Sequence, residues 1–178
     1  PTSQWLAAQF ETVGGIVHRP TLPSEEIFSA PDPQRVDGVV RSTKPLVVGG
    51  AEIRGLEVEF SGGRAVRIDA DEGADVLRTY TAKDEGGARL GEVALVDSEG
   101  RIGPLGTVFY DTLLDENAAS HIALGMAYAI CAGDADQDAI NQSEIHIDFM
   151  IGAPDQQVFG IEAGGAQVHV LDAGRWQI

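Results

Sequence analysis

The chain has 178 residues, of which 43% are hydrophobic and 22% charged, and its 28 acidic against 12 basic side chains leave a formal charge of −16. That length fits one ordinary globular domain, and no stretch approaches the roughly 20 apolar residues that a membrane span needs. A charge of this sign repels nucleic acid and anionic lipid, and the lone Cys131 excludes an internal disulfide framework, which fits a reducing, cytoplasmic compartment.

The elements are read in chain order. Pro1 to Glu25 carries little periodic signal and reads as a lead-in; with no initiator Met, the reading expects further chain upstream. Leu56 to Phe60 alternates apolar and acidic residues, Val66 and Ile68 alternate likewise beyond Ser61-Gly62-Gly63, and together they predict a β-hairpin. Between Glu72 and Lys83, Val76, Leu77 and Tyr80 have helical spacing, with Asp71 as N-cap and Gly86-Gly87 as stop. Ile122 to Ile130 is apolar, and its Gly and Ala content does not separate helix from buried strand; the later half leans towards helix. Val158 to Ile161 and Val168 to Val170 flank Ala163-Gly164-Gly165 as a second hairpin, and a turn at Asp172-Ala173-Gly174 leads to Trp176 and Ile178. The predicted fold class is α+β in a single domain: a mixed, largely antiparallel sheet with β-hairpins and a few helices.

Four segments carry candidate chemistry. On a strand through Glu144 to Gly152, Ile145, Ile147, Phe149 and Ile151 share one face, so His146 and Asp148 share the other, about 6.6 Å apart. By itself this is either a half-buried strand with a wet second face or an imidazole and carboxylate presented together. In Leu90 to Val96, alternation puts Glu92 on a face with Leu90, Ala94 and Val96, where an ionised carboxylate needs a partner or a metal unless it reaches solvent at a strand end. Asp115 to His121 adds two carboxylates and an imidazole, which alone also fits a helix cap and a core histidine. Pro23 to Phe28, with Glu25 and Glu26, equally fits the first turn of a helix. The sequence has no H-E-x-x-H, no phosphate-binding P-loop, no G-x-G-x-x-G after a strand and no G-x-S-x-G elbow. Cys131 lies among apolar residues and reads as packing, while His18 and His169 lack acidic or histidine neighbours in a pattern comparable to the segments above and read as structural or exposed.

Together these segments resemble the thermophilic-type metallo-aminopeptidases, peptidase family M29. The resemblance is carried by Pro-Ser-Glu-Glu-Ile-Phe-Ser-Ala-Pro at 23 to 31, Val-Asp-Gly at 36 to 38, Asp-Glu-Gly at 84 to 86 and Leu-Gly-Glu-Val-Ala-Leu-Val at 90 to 96. It continues in Phe-Tyr-Asp-Thr-Leu-Leu-Asp-Glu-Asn-Ala at 109 to 118, His-Ile-Ala-Leu-Gly-Met-Ala-Tyr at 121 to 128 and His-Ile-Asp-Phe-Met-Ile-Gly at 146 to 152. It runs from about Trp5 to the C-terminus and implies that residues 1–178 are the family's C-terminal, metal-binding domain, with an N-terminal domain of comparable size absent. The departures are peripheral: Ala119 stands where relatives often carry other small residues, and Gly133 to Gln142 looks short.

By the same resemblance, Glu26, Glu92, His121, His146 and Asp148 match metal ligands, with Glu92 as the bridge between two ions. Glu116 matches a carboxylate that binds metal or serves as general base, and Tyr128 matches a catalytic tyrosine. If the segment after His121 were helical, two turns would bring Tyr128 to the same face as His121. The implied cofactors are two divalent ions, Zn²⁺, Co²⁺ or Mn²⁺, which suit mixed oxygen and imidazole donors and neutralise the four carboxylates of Glu26, Glu92, Glu116 and Asp148. The implied substrate is a peptide with a free N-terminus, and the implied assembly is a homodimer of two-domain subunits. No nucleic acid or membrane partner is expected. The alternative is a metal-binding domain without turnover of its own.

Overall fold

The computed structural model describes residues 4–7, 9–19 and 22–178, so the lead-in reading of 1–25 lies partly outside the described residues. The strands begin with β1 (Leu6–Ala7), β2 (Phe10–Glu11), β3 (Val17–His18) and β4 (Glu26–Ser29). Next come β5 (Gly38–Arg41), β6 (Leu46–Val48), β7 (Ala51–Ile53), β8 (Glu57–Ser61) and β9 (Arg64–Asp69), then helix α1 (Ala74–Thr81). β10 (Leu90–Val96) precedes a short helix α2 (Thr112–Asp115), followed by β11 (His121–Gly125) and β12 (His146–Met150). β13 (Gln157–Ile161), β14 (Gln167–Asp172) and β15 (Arg175–Trp176) finish the chain.

The central sheet has the order β1-β4-β10-β11-β12, antiparallel throughout. Smaller sheets are β5-β8-β9, β6-β7, β2-β3 and β13-β14-β15. The α+β, largely antiparallel expectation holds. The hairpin of β8 and β9 forms where alternation and Ser61-Gly62-Gly63 placed it, with Val58 and Phe60 buried and Glu57 and Glu59 half-exposed. The C-terminal meander of β13, β14 and β15 is likewise as read. Among the described residues, no helix is long and apolar enough to cross a membrane.

Three local expectations are corrected. The helix predicted from Glu72 to Lys83 is shorter, because Glu72 bridges Arg54 in extended form and Asp71 donates its N–H to the Arg54 carbonyl. The N-cap is therefore Gly73, at φ 78°, a left-handed conformation that glycine takes without steric cost, and not Asp71. The Gly86-Gly87 pair does not end this helix: both lie buried in a separate 3₁₀ turn, Gly86–Ala88, and a Cβ on Gly86 would collide with the Gln142 carbonyl.

The segment Ile122 to Ile130 is a strand first, and its later half is no α-helix. Met126 and Ala127 donate their N–H groups to the Ile145 and Asn141 carbonyls, at 2.7 and 2.9 Å, instead of to carbonyls one turn back. Only a 3₁₀ turn, Ala129–Cys131, follows. The helix-start reading of Pro23 to Phe28 also yields, since Glu26–Ser29 pairs with β10 as a strand.

The main apolar core lies between α1, the β5–β9 hairpins and one face of the central sheet, and includes Ile53, Leu56, Val58, Phe60, Leu77, Leu124 and Phe149. Its partner residues on the sheet alternate with those of the opposite face, so the core fixes which side chains are left to face the other way.

Candidate metal centre

Registration of the central sheet builds the site. Val96 pairs with Glu26, Ala94 with both Phe28 and His121, Glu92 with Ala123, Ala123 with Asp148, and Gly125 with His146. Directly paired residues point to the same face, so Glu26, Glu92, His121, His146 and Asp148 all lie on one side of the sheet. The central positions between them are Ala94, Ala123 and Gly125, whose small side chains leave space for the long polar ones.

Glu92 reaches this face through a β-bulge. The pairing shifts between Leu90 and Glu92, so Gly91 is an extra residue on β10. Leu90 consequently joins the apolar core while Glu92 and Ala94 face the other way, which corrects the expectation that Leu90 and Glu92 share a face. Gly91 is crowded by the Gly125 and Met126 carbonyls, leaving no room for a Cβ.

The donors fall into two groups that share one residue. Glu26, Glu92 and His121 form one, and Glu92, His146 and Asp148 form the other, with the donor atoms in each within 4.8 Å of one another. His121 Nε2 lies 3.1 Å from Glu26 Oε2 and 3.4 Å from Glu92 Oε1. His146 Nε2 lies 3.7 Å from Glu92 Oε2 and 3.3 Å from Asp148 Oδ1. The two oxygens of Glu92 thus face different imidazoles.

Both rings are oriented from behind. His121 Nδ1 is 3.2 Å from the Ala119 carbonyl and His146 Nδ1 is 2.7 Å from the Met126 carbonyl. A carbonyl only accepts, so each Nδ1 carries the hydrogen and Nε2 is turned into the site, the arrangement usual for metal-binding histidine. Glu26 Oε2, His121 Nε2 and Asp148 Oδ1 are buried without a hydrogen-bond partner. Inward-facing orphans of oxygen and imidazole type fit a divalent transition ion.

Without cations the site is electrostatically strained. Burial, then Glu26 and Asp148, push the Glu116 carboxyl up to about 8. Burial raises Glu92 as well. Burial opposes charge on the imidazoles, but Glu26 and Glu92 hold His121 well above its ordinary value, and Asp148 takes His146 up to about 9. Protons here do the work that cations would do.

Glu116 caps the C-terminus of α2, and it lines a cavity of about 280 Å³ together with Glu26, Glu92, His146, Asp148 and Tyr128. Tyr128 arrives by the turn after β11 and not on a helix; its ring centroid is 4.9 Å from that of His146 and 6.2 Å from that of Phe28. Burial, then Asp148 and Glu92, raise its phenol to about 12. All seven residues singled out in the sequence thus meet around one cavity or its two donor groups.

A model of the family described as thermophilic metalloprotease (M29) matches residues 1–176. The chain belongs to the M29 family. It is 43% identical over 180 residues to aminopeptidase T of Thermus thermophilus, an alignment covering 98% of this chain and 44% of that protein. Aminopeptidase AmpS of Bacillus subtilis is 39% identical, with 97% and 44% covered. The solved structure of wild-type AmpT from Thermus thermophilus superposes with a TM-score of 0.95 at 42% identity, covering 99% of this chain and 45% of that one. The M29 chain described here therefore spans about 44% of the length of the curated relatives it matches.

Several cavity residues carried no sequence signal. Phe10, Leu113 and Ile130 line it from a two-residue strand, the short helix α2 and a 3₁₀ turn, where single apolar residues look like any others. Phe28 shares the Glu26 face of β4 two positions on, which the helix-start reading of Pro23 to Phe28 concealed. Outside the cavity, Cys131 is 1% exposed with its thiol raised by burial to about 11, in keeping with the packing role read for it, and His169, read as structural or exposed, stacks on Phe159 at 4.5 Å. His18 is exposed on β3.

Proposed function

We propose that this chain carries the co-catalytic two-metal centre of an aminopeptidase that hydrolyses the N-terminal peptide bond of peptides with a free N-terminus. The observation that supports it most is the Glu92 carboxylate, shared between two donor groups, with Oε1 towards His121 and Oε2 towards His146. In this reading Glu26 and His121 would hold one ion and His146 and Asp148 the other, with the Glu92 carboxylate available to both. Zn²⁺, Co²⁺ and Mn²⁺ all suit the donors. Two such ions supply positive charge that polarises the scissile carbonyl and lowers the pKa of water.

The remaining groups follow from their own chemistry. Glu116, in the same cavity, takes a proton from the attacking water and passes it to the departing amine. Tyr128, whose phenol stays protonated far above neutral pH, donates a hydrogen bond to the developing oxyanion. The aminopeptidase names of the relatives support the substrate class. We assign residues 1–178 to the C-terminal domain of an M29 enzyme whose subunit also has an N-terminal domain, in a homodimer working in the cytoplasm.

Titration of metal-free chain with Zn²⁺ or Co²⁺ should saturate at two ions. The loaded chain should release the first residue from a short peptide and leave its N-acetylated form intact. Cleavage that persists in chelator, or that ignores acetylation, overturns the aminopeptidase reading. Two bound ions without turnover favour the alternative, a metal-binding unit that needs the rest of a longer protein, which the 44% coverage supports.

A further inference from the structure

Asn117 is 1% exposed and follows Glu116 directly in the chain. Its Nδ2 donates to the Leu113 carbonyl at 2.9 Å, one turn back along α2. Its Oδ1 accepts the N–H of Glu25 at 2.6 Å, across 92 positions of sequence. The first bond settles which way the amide faces, because a carbonyl must meet the NH₂ group; the oxygen is then left to face the Glu25 N–H. Glu25 is also held from the far side, its Oε2 accepting the N–H groups of Arg101 at 2.7 Å and Ile102 at 3.1 Å.

This amide joins two segments that each carry part of the centre. Glu25 precedes Glu26 at the start of β4, and Asn117 lies between Glu116 and His121. Glu26 is paired in the sheet with Val96 of β10. Glu92, His146 and Asp148 lie on β10 and β12, and the side-chain hydrogen bonds of Asn117 go to neither strand but to Leu113 and Glu25.

We propose that Asn117 is a positioning residue that sets the spacing of Glu26 against His121 and Glu116, and so tunes one of the two metal positions and not the other. The proposal rests on the two-metal reading above. A hydrogen bond that orients ligand-bearing backbone changes metal affinity without touching the ion, and loss of such a support costs typically about 10-fold to 100-fold.

Zn²⁺ binding to metal-free wild type, Asn117→Ala and Leu77→Ala is compared by calorimetry, with Glu26→Gln identifying the position that depends on Glu26. Asn117→Ala should weaken the Glu26-dependent ion by about 10-fold to 100-fold and leave the other within about 2-fold. Leu77→Ala, a destabilised control in the distant apolar core, should leave both unchanged. If Asn117→Ala does not fold, Asn117→Asp is read instead: it keeps the volume and the acceptor but loses the donor that locks the orientation, and should show the same one-sided loss in weaker form. Fewer than two ions in wild type overturns the two-metal reading and the proposal with it. Two ions in wild type, with equal affinities lost or none lost in the Asn117 variant, overturns the positioning role alone.

Discussion

The half of the molecule around α1 and the half around the polar face of the central sheet bury side chains of opposite kinds. Around α1 the buried residues are Leu46, Val48, Ile53, Leu56, Val58, Phe60, Ile68 and Leu77, and the one buried polar side chain of that helix, Thr81, is satisfied by the Arg78 carbonyl. On the polar side, Glu92, Asn117, His121 and Asp148 are buried, beside only a small apolar cluster of Phe28, Ala30, Ala94, Ala127 and Cys131. The first half gains stability from removing apolar surface from water, independent of any ligand. The second holds carboxylates that repel one another until cations or protons intervene. Stability and chemistry are thus assigned to different sides of one sheet, with Phe149 and Asp148 as neighbours in sequence that serve opposite purposes.

That division can be tested by how far each half responds to change. The largest stability effect should come from the apolar half: Leu77→Ala, at a fully buried position, should cost about 2–5 kcal/mol in denaturant unfolding while metal affinity stays as it was. A parallel loss of metal binding would join the two halves into one unit.

A pH effect on the metal-free protein comes next. Glu116 and His146 both have folded values raised above the unfolded ones, to about 8 and about 9. Groups of this kind contribute stability that is complete below the unfolded value, near 4.5 for the Glu and 6.5 for the His, and is lost as pH rises through the folded value. Thermal unfolding of metal-free chain should therefore move down in temperature between about pH 4.5 and pH 9, and loading with Zn²⁺ should flatten the fall, since ions replace the protons. A rise across that window would contradict the electrostatics described for the centre.

Smaller still, Glu92→Gln should stabilise the metal-free protein by about 1 kcal/mol, because it removes a buried carboxylate from among its like, while abolishing the gain in melting temperature that metal gives the parent. The smallest stability change belongs to Tyr128→Phe, which sits at 42% exposure and should shift unfolding by less than about 0.5 kcal/mol. Its cost should fall on turnover, with kcat down roughly 10²-fold to 10³-fold and both ions retained. Near-normal kcat would return the phenol to a packing role beside His146 and Phe28.

The hairpins were legible because two signals coincide in them: period-two alternation and a glycine pair that supplies the turn. β11 was not, since it is buried on both faces and reads as an unbroken apolar run, the pattern shared by a buried helix. Only non-local carbonyls, those of Ile145 and Asn141, decide that Met126 and Ala127 do not begin a helix. Residue types at the centre could be named from the resemblance to M29 enzymes, and their convergence on one face follows from alternation for His146 and Asp148. It did not follow for Glu92, where alternation gave a face shared with Leu90 and the bulge at Gly91 changed it.

That single extra residue also bears on portability. Anyone transplanting these ligands onto another antiparallel sheet by copying residue types at matching rows would turn either Leu90 outward or Glu92 inward, because an unbroken strand cannot serve both. The insertion at Gly91, together with the glycine-only clearance beneath the Gly125 and Met126 carbonyls, has to travel with the carboxylate. Shortening this strand by one residue would be expected to disarm the centre while every ligand was still present in the chain.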